Sequence, residues 1–363
     1  MSAGAELAVD IVIDNYNYGR FLPDAIESAL AQTHGKVTVT VVDDGSSDGS
    51  QQLLDAYEDR VAVIRKENGG QASALNAGFE RCQGDMVMFL DADDTLDPGA
   101  AAAVATAFAA APEVVKVQFR TAVIDAEGRP TGALKPAAHL PMPSGDVSVA
   151  ELASPYDLVW MATSANAFRT AALRRIMPIP ESDFRTCADW YLVHLMALLG
   201  PVLSLDSVAG AYRVHGENNY EPQAAELDIP HLRETIRFSQ STSAKLLELA
   251  TELGLPRPER ILSIADLANR MISLRLEPAR HPNPEDGRGR LVADAARAAR
   301  RRTNVPAPMK LIFVAWFAAM ALAPRPLARR LALWFLFPQR RRIANRLLGL
   351  LQRDGQRQSA ATA

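Results

Sequence analysis

Between Val9 and Pro112 the chain alternates short apolar runs with longer stretches whose apolar residues recur at helical spacing. VDIVID, VTVTVV, VAVIRK and GDMVMFL read as four strands in succession. Between the first two, RFLPDAIESALAQT places Leu22, Ala25, Ile26, Ala29 and Leu30 on one helical face, and QASALNAGFERC later does the same with Leu75, Phe79 and Cys82. SSDGSQQLLDAYED supplies another helix, with Ser46 or Ser47 as its expected cap. Asp97 followed by Pro98 marks the start of an alanine-rich one. This alternation predicts an α/β fold, a mostly parallel sheet flanked by helices. GDMVMFL is apolar in nearly every position, which predicts a strand covered on both faces.

After Pro112 the regularity loosens. VVKVQF predicts a strand, DAEGRPTG a turn and KPAAHLPMPSGD a proline-rich loop. CADWYLVHLMALLG has the spacing of a helix, and VAGAYRVHGENN reads as strand then loop. Beyond about Pro222 only helical patterns remain, broken by HPNPEDGRGR. Three regions are therefore expected: an α/β domain over residues 1–222, a helical accessory region over 223–302, and an amphipathic helical tail over 303–363.

Ligands of open α/β sheets bind beyond the carboxyl ends of the strands. Three polar clusters fall there: Asp14-Asn15-Tyr16-Asn17, Asp43-Asp44-Gly45-Ser46 and Asp91-Ala92-Asp93. The last lies in FLDADDTL, which satisfies two chemistries. Read as DxDxT, Asp91 is a phosphatase nucleophile and Asp93 a general acid. Read as DxD, the same carboxylates hold a divalent metal against a diphosphate. The phosphatase also requires a later strand-end lysine and a paired-aspartate loop; neither stands out downstream, and the two upstream clusters are left without a task. Side chains two apart on a strand point the same way, so Asp91 and Asp93 can share one crevice. Hard oxygen donors of this kind suit Mg2+ or Mn2+. The bland alternative is a solvated strand-to-helix turn.

Composition narrows the classes. With 363 residues and 48% hydrophobic content a sizeable core is within reach. The formal net charge of −3 gives no basic excess to neutralise nucleic-acid phosphates. Cys82 and Cys187 lie far apart in helical patterns, which favours a reducing cytoplasm over a disulfide framework. MSAGAELAVDIVID has neither a basic n-region nor an apolar h-region, so no secretion signal is expected.

IDNYNYGRFLPDAIESALAQT, VVDDGSSDGS, ENGGQASALNAGFERCQGDMVMFLDADD, CADWYL and YRVHGENN, in that order, resemble family 2 glycosyltransferases of the GT-A fold over about Val9 to Asn219. The resemblance implies an inverting, Mn2+- or Mg2+-dependent enzyme that takes a nucleotide sugar, UDP-linked by preference, and a glycan or lipid-linked glycan acceptor. It implies that Asp44 accepts from the nucleotide base, that Asp14 and Tyr16 wall the base and ribose pocket, and that Asp91 contacts ribose or metal. Asp93 would bind the metal, His215 would lie at the metal or diphosphate, and Asp189 would deprotonate the acceptor hydroxyl. Against these roles, Asp189 also reads as a helix-first-turn residue favoured by the dipole, and His215 as a loop histidine. Two departures stand out: Asp14-Asn15 replaces the proline and threonine or alanine usual ahead of the Tyr-Asn pair, and the QxxRW signature of processive synthases is absent, which favours single addition.

KLIFVAWFAAMALA and LALWFLF are strongly apolar, yet Pro324, Pro326 and Pro338 interrupt them and each falls short of the ~20 residues that span a bilayer. They read as helices lying on the cytoplasmic face of a membrane. Arg325, Arg329, Arg330, Arg340, Arg341, Arg342 and Arg346 would meet an anionic surface, and Trp316, Trp334 and Phe335 would enter it. The alternative is a helical hairpin packed on protein.

Overall fold

The computed structural model describes residues 6–216, 218, 227–302 and 305–337. In chain order the elements are β1 (Val9–Asn15), α1 (Leu22–Leu30), β2 (Val37–Asp43), α2 (Ser50–Asp55), β3 (Ala62–Arg65), α3 (Gln71–Phe79), β4 (Met86–Asp91), β5 (Thr95–Leu96), α4 (Ala100–Ala110), β6 (Lys116–Ile124), β7 (Pro130–Lys135), α5 (Ser148–Ala153), β8 (Asn166–Arg169), α6 (Thr170–Leu173), α7 (Ala188–Leu199) and β9 (Val202–Arg213). The helices α8 (Ile229–Glu252), α9 (Ile264–Leu276), α10 (Arg288–Arg301), α11 (Ala307–Leu322) and α12 (Arg325–Leu336) follow. The chain divides into two compact units, residues 1–221 with 237–261, and residues 222–236 with 262–363.

The first unit is built on a nine-stranded sheet in the order β3-β2-β1-β4-β8-β6-β9-β5, with β7 paired to β6. The four strands predicted from the sequence form its parallel part, β1 lying between β2 and β4. Alternation along these strands feeds two cores. Ile11, Ile13, Val41, Met88 and Leu90 pack on one face with α1 and α4 residues such as Leu22, Ile26, Val104 and Phe108. Val12, Val42, Val87 and Phe89 pack on the other with Leu75, Leu192 and Met196. Every residue of β4 up to Leu90 is buried, as its apolar run predicts. Each fully buried Phe, Leu or Ile contributes roughly 1.5–3 kcal/mol relative to an exposed one. Helix α3 lies so close to β1 that a Cβ on Gly78 would come within 2.3 Å of Val12 Cγ1.

Register delivers the polar clusters. Asp14 on β1 is paired with Asp91 on β4, and Asn15 with Asp43 on β2. The rest of the sheet is mixed: β8 runs antiparallel to β4 and β6, and β9 parallel to β6.

Several local expectations change. Helix α2 starts at Ser50 after Gly49 in the left-handed region, φ 93°, so neither Ser46 nor Ser47 caps it. Asp48 instead accepts from Ser50 N at 3.0 Å, while Ser46 Oγ is held by Asn15 Nδ2 and Asn17 N. Helix α4 starts at Ala100, beyond Asp97 and Pro98, because Thr95 and Leu96 are first drawn into pairing with β9. Part of the segment read as turn and loop is β7, antiparallel to β6.

In the second unit α9, α10, α11 and α12 share a core of Leu267, Met271, Leu291, Ala295, Trp316, Phe317, Met320 and Ala332. Trp316 faces inward: its Nε1 donates to Leu331 O at 3.0 Å and its ring stacks on Phe335 at 4.4 Å. That corrects the expectation that Trp316 enters a membrane, since its polar tip is already satisfied inside the unit. Arg340, Arg341, Arg342 and Arg346 lie outside the described residues. Among the described residues no helix is long and apolar enough to cross a membrane.

Candidate active site

The ends of β1 and β4 and the turn after β4 bring carboxylates together with little cationic charge. Ligand oxygens of Asp91, Asp93 and Asp94 all lie within 4.8 Å of one another. Asp14 joins them through its register with Asp91, and its Oδ1 is buried without a hydrogen-bond partner, as is Asp94 Oδ2. Burial, then the charge of Asp93, pushes Asp14 up to about 7. Burial first, then Asp14, Asp94 and Asp93, raises Asp91 well above the ordinary carboxylate range, and burial with Asp93 does the same for Asp94. Crowded hard donors with unpartnered oxygens fit a divalent cation, which relieves both the repulsion and the lost hydrogen bonds. Asp94 belongs to this cluster although DxD reading stops at Asp93; its adjacency in DADD was the available signal.

Three groups fasten the cluster from the side. Arg213 donates its N–H to Asp94 Oδ1 at 2.9 Å and Nε to Asp93 O at 2.8 Å. His215 gives Nε2 to Asp93 Oδ2 at 2.9 Å and rests its ring against Phe21 and Tyr18. The histidine thus lies at the carboxylate cluster, in contact with Asp93. Asn218 donates to the same oxygen at 3.4 Å.

Asp189 stands in the first turn of α7, following Cys187 in the left-handed conformation, φ 57°. Burial raises its carboxyl above the ordinary range, partly offset by the Trp190 N–H and then by the positive potential of His194 and the Thr163 N–H. Gln71, at the start of α3, links the two regions: Nε2 donates to Asp91 Oδ1 at 2.9 Å, and Oε1 accepts from Ala188 N at 3.0 Å. One side chain thus ties the β4 carboxylate to the turn that carries Asp189. Sequence reading passed over Gln71, whose only signal was its place after Gly69-Gly70.

Asp44, just past the end of β2, is tied to the loop that leads into α3. Its carboxylate accepts from Lys66 Nζ at 2.7 Å, Asn68 Nδ2 at 3.1 Å, Gly69 N at 2.9 Å and Gly70 N at 2.7 Å. A carboxylate offers about four acceptor positions, and these four contacts hold Asp44 to that loop. Gly70 is required there: its φ is 91°, and a Cβ would meet Arg185 O at 2.5 Å. Tyr16, just past β1, is exposed and available as a flat wall. Asp14, two residues before it, lies against the acidic cluster.

The glycosyl transferase family 2 model matches residues 10–168. An uncharacterized glycosyltransferase of Nostoc sp. is 33% identical over 223 residues, covering 60% of this chain and 68% of that relative. The chain belongs to glycosyl transferase family 2. Glycosyltransferase GlyG of Streptococcus pneumoniae is 37% identical over 90 residues, which cover 30% of its length. The fold is that of S. aureus TarS residues 1–349, with a TM-score of 0.54 at 14% identity over 89% of this chain and 90% of that one. This is the GT-A fold, and family membership removes the phosphatase alternative. Thr95 of the DxDxT string is a strand residue paired with Ala211.

Proposed function

We propose that this family 2 glycosyltransferase moves a sugar from a nucleoside diphosphate to a hydroxyl of a glycan or lipid-linked glycan, with inversion. The reading is carried by the carboxylate cluster of Asp91, Asp93 and Asp94 at the strand ends, with Asp189 standing apart from it. Asp91 and Asp93 are the proposed metal ligands, with Asp14 and Asp94 adding negative charge. A bound Mn2+ or Mg2+ would supply positive charge opposite the leaving diphosphate. His215, Asn218 and Arg213 hold the Asp93–Asp94 turn in place.

Displacement at the anomeric carbon needs a base on the face away from the leaving group. Asp189 takes the acceptor hydroxyl proton as the acceptor oxygen bonds the anomeric carbon; the carbon–phosphate oxygen bond breaks and its electron pair leaves with the diphosphate. The raised affinity of Asp189 for a proton suits that task. Tyr16 is the proposed wall for the base. UDP is the proposed nucleotide, a choice in keeping with the UDP complex described for TarS, of TM-score 0.51 to this chain.

A membrane surface is the proposed location of the acceptor. Support comes from α11 and α12, where Leu311, Ile312, Leu322 and Leu327 are exposed, as are Arg329 and Arg330. Leu311→Asp with Leu322→Asp should lower binding to vesicles containing anionic lipid; equal binding would exclude this face.

The donor is tested by thermal shift of the full chain with Mn2+ and a panel of UDP- and GDP-sugars, since a ligand at 100 times its Kd stabilises the folded state by about 2.7 kcal/mol. A metal-dependent rise for one nucleotide class is the expected result. No rise with any sugar nucleotide would contradict the reading.

A further inference from the structure

Away from the carboxylate cluster, the first unit holds ionisable side chains that the transfer chemistry leaves unused: Lys116 at the start of β6, Glu151 on α5 and His194 on α7. All are buried. Glu151 Oε1 lies 2.6 Å from His194 Nδ1, and Glu151 Oε2 accepts from Trp160 Nε1 at 3.2 Å. Lys116 Nζ donates to Gln118 Oε1 at 2.8 Å and stands 4.1 Å from the centroid of the Trp160 ring. The rings of Tyr156, Trp160 and Trp190 surround the imidazole, their centroids 5.2, 6.2 and 5.0 Å from its own. Stability alone gives little reason for the arrangement, because apolar side chains of similar volume often replace a buried ion pair without loss.

The two partners of Glu151 lead to Asp189 by separate routes. His194 shares α7 with it, and Trp160 lies three residues before Thr163, whose N–H donates to the Asp189 carboxylate. Gln71 reaches the same segment through Thr163 Oγ1 at 3.3 Å. One buried carboxylate thus joins the helix that carries Asp189 to the segment that hydrogen-bonds it. Charge acts in the same sense: burial raises Asp189, and the positive potential of His194 opposes that rise. Asp91 on β4 and Lys116 on β6 also bear on Asp189, while Glu151 and Tyr156 face His194. Burial pulls the Lys116 amine well below its usual range, with Glu151 and then Asp189 opposing. Burial raises Glu151, with His194, Trp160 and Lys116 opposing.

We infer that Glu151 and His194 are positioning residues for Asp189: Glu151 fixes α7 against the 160–163 segment, and the imidazole it holds supplies positive charge near the Asp189 carboxylate. Asp189 is thereby kept in place and in the ionised form that a base requires. The inference rests on the reading of Asp189 as the base.

The test is carboxyl 13C NMR of the full chain without metal, labelled at aspartate, with the Asp189 signal identified by its loss in Asp189→Asn. His194→Gln removes the charge of the ring and keeps an amide that can donate to Glu151. In this variant the titration midpoint of Asp189 should rise by about one pH unit, a tenfold gain in proton affinity. Glu151→Gln, which removes the carboxylate that the ring faces, should move the midpoint in the same direction, so either variant decides the matter if the other does not fold. An unmoved midpoint with a lower melting temperature would reduce the pair to a fastening between α5 and α7 and overturn the inference. A lowered midpoint would overturn it as well. The base reading is judged separately, by transfer in Asp189→Asn: undiminished transfer there, beside a raised midpoint in His194→Gln, would remove the base role and leave the hold of the pair on Asp189 standing.

Discussion

In the second unit the withdrawn carboxylate of Asp286 is met by Arg270, by His281 Nε2 at 3.0 Å and by Asn283 Nδ2 at 3.3 Å. In the first, Asp91 receives a neutral amide from Gln71 and the charges of Asp14, Asp94 and Asp93. Hydrogen bonds from Arg270 and His281 outweigh the cost of burial and hold Asp286 well below the usual carboxylate range. Nothing comparable lowers Asp91. The two regions use the same residue type for opposite ends. Around Asp286 the protein completes its own charge balance, and the result is a fastening for the 281–286 loop. Ser273, His281 and Asp286 even form a chain of hydrogen bonds like that of a hydrolase, but their side chains are buried. Around Asp91 the balance is left open for a ligand to complete.

That contrast can be broken in four places. Asp189→Asn should lower transfer by about 10²–10⁴-fold, the range for loss of a general base, while the dissociation constant of the donor stays the same; undiminished turnover would return Asp189 to a helix-terminal role. Arg270→Met leaves the buried Asp266 without its ion pair and Asp286 with only His281 and Asn283, so chemical denaturation of the second unit should show a loss of about 3–5 kcal/mol. Manganese-dependent UDP binding should survive that change. Loss of binding without loss of stability would mean the closed cluster has a part in the chemistry. Gln71→Met cuts the link between Asp91 and the Asp189 turn, and a misplacement of this kind costs about 10²-fold in rate. An effect on donor affinity alone would show that Gln71 serves binding and not alignment.

The fourth effect is smaller and concerns pH. Asp14, raised from 3.8 to about 7 by burial and then by Asp93, keeps its proton in the folded chain where the unfolded chain has released it. Folding therefore takes up a proton between these values, and the stabilising contribution is lost as pH rises from about 4 to about 7. Asp91 and Asp94 are raised in the same direction. The metal-free protein should melt at a lower temperature at pH 8 than at pH 5.5, and the stabilisation by Mn2+ should grow over that interval. A manganese effect independent of pH would show that the cluster is not where the cation sits.

The parallel part of the sheet was legible because β1, β2 and β4 are long, buried and apolar, and their polar ends mark the carboxyl edge. Strand β7 was not, since its residues are largely exposed and follow no alternation; β5 has only two residues and exists through its pairing with β9. The strings DADD and CADWYL mark Asp91, Asp93 and Asp189 as candidates. The satisfaction of Asp44 by Lys66, Asn68, Gly69 and Gly70 could not be read from a string, because it depends on how the loop before α3 closes over β2. The inward turn of Trp316 likewise follows from packing among α9, α11 and α12.

The central claim is that the open cluster is completed by a divalent cation under a nucleoside diphosphate. Isothermal titration of Mn2+ into the full chain with UDP present, comparing wild type with Asp93→Asn, addresses it directly. The account predicts one saturable Mn2+ site per chain in wild type, coupled to UDP, and its loss in Asp93→Asn with the melting temperature of the metal-free protein unchanged or raised. Equal Mn2+ affinity in the two proteins would contradict it.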